Sequence, residues 1–168
     1  VQFVHHQTEG NTFFIVEVLR TLAEEVGRLE QVAAMSLSST IFAGGIQEVV
    51  QRRLARIPAT YQPLLQTAAL VGRRLDWPLL GHLFPHTDLE EWLTICANAA
   101  VLERPDGDVY WQFSHDKLRE GLLAQLEPAE RPPLHRHIAH GLETVYANHL
   151  APHYADAALH WGQAGDVP

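Results

Sequence analysis

The chain has 168 residues, 46% hydrophobic and 19% charged, and its 12 Lys and Arg stand against 20 Asp and Glu for a net charge of −8. That length suits one ordinary domain, or one small domain with attached pieces. The negative balance argues against broad affinity for nucleic-acid phosphates. No apolar run reaches membrane-spanning length, and the single cysteine, Cys96, excludes an internal disulfide and fits a reducing cytoplasm.

Cys96 lies in an apolar helical stretch and reads as a core thiol rather than a nucleophile. The chain starts at Val1 in a polar segment with no secretory leader, and reads as a piece of a longer protein. Arg52, Arg53, Arg56, Arg73 and Arg74 form a local basic group, read as a solvated helix face with nearby loop charges.

In chain order, the spacing of Phe14, Val18, Leu22 and Val26 predicts a helix over 11–27, capped by Asn11 and stopped at Gly27. Residues 28–45 show no period and read as a linker. A second helix follows over 46–57, with Ile46, Val49, Val50, Leu54 and Ile57 on one stripe and Pro58 ending it. Three short helices come next. One runs through Leu64, Leu65, Ala68 and Ala69 to Gly72, and one is capped by Asp76 and stops before Pro85. The third opens on Thr87 as cap with Glu90 three residues on.

The pattern then changes. Asp106-Gly107 separates two extended runs, 101–104 and 109–113, which is a hairpin signal. Three helices followed by a hairpin is the order of a winged-helix unit. A longer amphipathic helix after Pro128 places Leu134, Ile138, Leu142, Val145 and Tyr146 on one face. A last helical piece lies near 153–165, where Ala155, Ala157 and Ala158 suggest the opening of a helical-repeat array. The predicted fold is therefore mainly α, a winged-helix unit with one small hairpin flanked by helices.

The segment "QFSHDKLREGLL" (112–123) concentrates the candidate chemistry. Three adjacent residues, Ser114, His115 and Asp116, point in different directions and do not make a hydrolase triad, whose members converge from separate places. Ser114 reads as an N-cap, with Asp116 complementing the positive end of the helix. His115 is left unexplained by capping; a phosphate sensor at the helix start is chemically sensible. His135, His137 and His140 lack a carboxylate or cysteine at zinc spacing, and Pro152 disturbs any shared face for His149 and His153. No metal site is expected. There is no P-loop motif in the chain.

Two separated stretches share one resemblance. "TEGNTFFIVEVLRTL" resembles the "GNPFF-x-x-E-x-L" segment of STAND-type signalling NTPases, MalT-like regulators among them, and "FSHDKLREGLL" resembles the segment after their winged-helix hairpin and the "MHD" motif of plant resistance proteins. "IQEVVQRRLARIP", "LLQTAALVGRRLDWPLL" and "RPPLHRHIAHGLE" are similar to the same family's text. The resemblance implies an ATPase core, a helical lid, a winged helix and helical repeats, with ADP trapped between core and lid in the resting state. It implies that His115 contacts the ADP β-phosphate, with Ser114 and Asp116 beside it, and that Asn11 and Thr12 lie in the lid's nucleotide-binding segment. Thr12 stands where the family's adenine-packing proline would be, and Ser114 where plant members have methionine.

On this reading residues 1–27 end the lid, 28–45 link it, 46–127 form the winged-helix domain and 128–168 begin TPR-like repeats. The fragment is expected to be a non-enzymatic regulatory module of a cytoplasmic ATPase switch, with ADP or ATP and Mg bound only in the longer parent. Its partners would be the upstream nucleotide-binding domain and proteins held by the repeats, with no membrane and no DNA. The alternatives are a DNA-binding winged helix, disfavoured by Asp88, Glu90 and Glu91 in the recognition position, and a scaffold module in which His115 merely fills space.

Overall fold

The computed structural model describes residues 45–105 and 107–165, together with Val16. The expected helix over 11–27, with Asn11 and Thr12, and the linker up to residue 44 lie outside the described residues, as does Asp106. The chain divides into two compact units, 1–53 and 54–168. The fold is mainly α with one small antiparallel hairpin.

Helix α1 (Gly45–Leu54), in the first unit as far as Arg53, starts at the last residue assigned to the linker. It buries Val49 and Val50 and exposes Gln47, Glu48, Gln51 and Arg52. Glu48 and Arg52 pair one turn apart at 3.1 Å, an exposed contact of little energetic weight. The helix closes before Ile57, where the sequence placed its end. The reason is local: the Ile57 N–H turns back to Leu54 O (3.1 Å), and the Gln62 amide donates to the carbonyls of Leu54 (3.3 Å) and Ile57 (3.1 Å). Pro58 has no N–H to offer the Leu54 carbonyl in a continuing helix, and these donors satisfy it instead.

In the second unit, α2 (Gln62–Val71) carries Pro63 in its first turn, where no N–H is missed, and ends at Gly72. Helix α3 (Trp77–Leu83) is capped as expected, with Asp76 accepting from Leu79 N at 3.0 Å. Helix α4 (Leu89–Asn98) corrects the sequence reading by one residue. Its cap is Asp88, whose Oδ1 accepts from Glu90 N (3.1 Å) and Glu91 N (2.9 Å). A carboxylate at that position meets two orphan donors and the positive helix end together. Thr87 instead closes the preceding turn through its N–H to Phe84 O.

The hairpin is shorter than its sequence signal. Strands β1 (Leu102–Glu103) and β2 (Gln112–Phe113) pair Leu102 with Phe113 and Glu103 with Gln112. On the other side of β2 runs the extended link between α2 and α3. Leu75 N donates to Trp111 O (2.8 Å), Phe113 N donates to Arg73 O (2.9 Å), and Arg74 bridges Gln112. The order is thus helix, extended link, helix, helix, hairpin, and the link adds a third extended segment to the wing.

Helix α5 (Asp116–Gln125) packs on α2 and β2, and Arg119 Nε locks it there by donating to Ala69 O at 2.7 Å. The core of this unit gathers Leu64, Leu65, Leu80, Trp92, Phe113, Leu118 and Leu122, all fully buried. Helix α6 (Arg131–Val145) lies against α3 and α2, and α7 (Tyr154–Gln163) lies against α6. Their shared cluster is Leu79, Leu83, Ile138, Leu142 and Ala157. Of the expected small-residue face of α7, Ala157 is buried while Ala155 and Ala158 are exposed. Among the described residues no helix is long and apolar enough to cross a membrane.

Candidate functional site

The site is built where the hairpin hands over to α5. Ser114 is not the helix cap. Its Oγ donates to Ala100 O at 2.7 Å and its N–H to Val101 O at 3.0 Å, which ties the end of β2 to the α4–β1 turn. The cap is His115: extended at φ −153° and ψ 146°, it accepts the Lys117 N–H on Nδ1 at 3.1 Å. The physical reason lies in the neighbouring turn. Ala100 adopts a left-handed φ of 52° at the end of α4, and its carbonyl is the acceptor that Ser114 takes. With the serine hydroxyl committed there, the next side chain along the chain is the one left to meet the helix N–H groups.

A histidine that accepts on Nδ1 is neutral and carries its proton on Nε2. The surroundings hold it so. Partial burial lowers the His115 pKa, the nearby Asp116 carboxylate raises it, and the Arg73 guanidinium lowers it. Asp116 opens α5 and pairs with Arg73 NH1 at 3.2 Å, both side chains being about half exposed (54% and 48%). Lys117 turns to Glu120 at 2.6 Å. The structure therefore brings Ser114, His115 and Asp116 together at one helix start and gives each a different task. Asn11 and Thr12 lie outside the described residues. Arg73 was not singled out for this place, because only the pairing of the α2–α3 link with β2 carries it there.

Four other histidines among the described residues make packing contacts. His135 and His160 meet through their Nδ1 atoms at 2.8 Å across α6 and α7, with His160 only 2% exposed. His140 packs edge-on against Trp161 at 4.6 Å, and His153 stacks on Tyr146 at 3.7 Å. Among the described residues no three metal-ligating side chains come together. Cys96 is fully buried, and burial pushes its thiol pKa up to about 12, so it stays protonated and inert. No family model matches the chain, and neither the curated proteins nor the solved structures contain a match.

Proposed function

We propose that this chain is a regulatory module of a nucleotide-controlled signalling ATPase of the STAND type, in which His115 reports the nucleotide held by an upstream domain. One observation carries the reading. His115 is pinned on Nδ1 by the Lys117 N–H, so the neutral imidazole has its remaining proton on Nε2 at a helix start, a donor suited to a phosphate oxygen. Asp116 is drawn to Arg73, which lessens the repulsion an anion would meet there. The winged-helix unit would act as the lever, and the helices after it would pass the signal to protein partners. The protein would act in the cytoplasm. Nucleotide and Mg would be bound by the upstream domain, with Asn11 and Thr12 contributing from the lid, and this module would itself catalyse nothing.

The exposed carboxylates of Asp88, Glu90 and Glu91 at the start of α4 support a protein-facing rather than a DNA-facing role. The test uses the full-length protein and three variants. His115→Ala removes both cap and donor, whereas His115→Asn keeps a good cap and removes the Nε2 donor. Ser114→Ala disturbs the turn alone. A charge-assisted hydrogen bond to phosphate contributes roughly 1.5–3 kcal/mol, so both His115 variants should release ADP about ten- to a hundredfold faster, and Ser114→Ala should not. If His115→Asn retains ADP like the native protein, His115 is only a cap.

A further inference from the structure

A cleft of about 680 Å³ opens in the second unit, between the wing and the α2–α3 link on one side and α6–α7 on the other. That volume is the size of a small-molecule site. Its walls are aromatic: Trp77, Tyr110, Trp111, Tyr146 and His153 all contribute. Exposed apolar groups gather at the same place, for Trp77 is 38% exposed and Val109, on the wing, 95%. Large apolar side chains left in water at a concave site mark a binding surface more often than chance exposure.

The charges of the cleft are asymmetric in their availability. Its one guanidinium, Arg74, already lies over the Tyr110 ring at 4.1 Å. Its two carboxylates are less committed. Asp76 uses Oδ1 for both Leu79 N (3.0 Å) and the Tyr146 hydroxyl (2.7 Å), which leaves Oδ2 with no hydrogen bond among the described residues. Asp156 lines the cleft from the first turn of α7, is exposed, and makes no hydrogen bond or ion pair among the described residues. Aromatic faces attract cations through their quadrupole, and a carboxylate beside them adds a charge-assisted acceptor.

We propose that this cleft binds a small organic cation, an ammonium group on an aromatic body, the body lying against Trp77 and Trp111 and the ammonium directed to Asp156 and Asp76. Such a ligand would touch both the wing side and the α6–α7 side and so hold them together. The inference stands apart from the proposed nucleotide sensing, since no residue of the His115 site lines the cleft.

The probe is 2-phenylethylammonium, set against its neutral counterpart 2-phenylethanol. Calorimetry measures the affinity, and the indole N–H resonances of Trp77 and Trp111 report the place. The ammonium should bind saturably, shift both indoles, and bind about tenfold more tightly than the alcohol. Asp156→Asn, an exposed position whose circular dichroism should match the native chain, should remove most of that preference. Trp77→Ala should weaken the ammonium and the alcohol alike. Equal affinity for the alcohol, or an unchanged affinity in Asp156→Asn, would overturn the proposal. So would tighter binding of N-acetyl-lysinamide than of 2-phenylethylammonium, which would assign the cleft to a partner protein's side chain.

Discussion

His115 and Ser114 divide the start of α5 between them, and their substitutions should separate accordingly. His115→Ala removes the acceptor of the Lys117 N–H and should cost about 0.5–2 kcal/mol of stability, whereas His115→Asn should recover most of it. Ser114→Ala breaks the bond to Ala100 O and should cost about 0.5–1.5 kcal/mol. Urea denaturation of the three variants decides the assignment. A loss from His115→Asn as large as that from His115→Ala would take the cap away from His115. His160 sets a second residue-scale expectation. Burial first, and His135 second, lower its pKa to about 4, while Asp156 raises it slightly. A histidine whose folded pKa lies below its unfolded value of about 6.5 stabilises the fold fully above pH 6.5. That contribution, on the order of 3 kcal/mol, is lost as pH falls from there through 4. His160→Leu should flatten the pH dependence of stability across that window. An unchanged slope in His160→Leu would place the acid sensitivity elsewhere.

Two backbone positions govern how the elements meet. Gly141, on α6, faces α3 so closely that an added Cβ would lie 2.8 Å from both Leu79 Cδ1 and Leu83 Cδ2. Leu79 is fully buried and Leu83 8% exposed, so neither gives way freely. Gly141→Ala should therefore destabilise by about 1–3 kcal/mol, although alanine is the better helix former. Ala100 is the opposite case. It holds φ 52° between α4 and β1, a region that costs an L-residue about 1–2 kcal/mol. Ala100→Gly should relieve that strain and stabilise by about 0.5–1 kcal/mol, after the extra freedom of glycine in the unfolded chain is counted. Thermal melts of the pair should move in opposite directions. The periodicity that located α6 places residue 141 on the buried face but is silent on how near α3 comes, and nothing in "NAAVLE" marks Ala100 as left-handed. Both are consequences of contacts between elements distant in sequence.

At the scale of the whole chain, charge is the controlling quantity. With a net charge of −8 and exposed acids at the start of α4, duplex DNA should not be bound at physiological salt. A gel-shift series checks this, and a tight, steeply salt-dependent shift would return the DNA-binding reading. The helices and their order were settled locally. Leu and Val at helical spacing, Asp76 before a proline-started turn, Gly72 after one helix and the glycine of the hairpin loop each act within a few residues, so α2, α3, α6 and the hairpin are readable one segment at a time. The nearness of Ser114, His115 and Asp116 was equally plain from their adjacency. Their tasks were not, because the serine's partner is Ala100, fourteen residues away, and Asp116's is Arg73, forty-three residues away. The same holds for the His135–His160 contact and for the cleft, whose walls come from the α2–α3 link, the wing and α6–α7. Local spacing determines which backbone conformation a segment prefers. Which hydroxyl, imidazole or carboxylate is left to act depends on which acceptors and surfaces the packed elements bring within about 3 Å, and only the tertiary structure decides that.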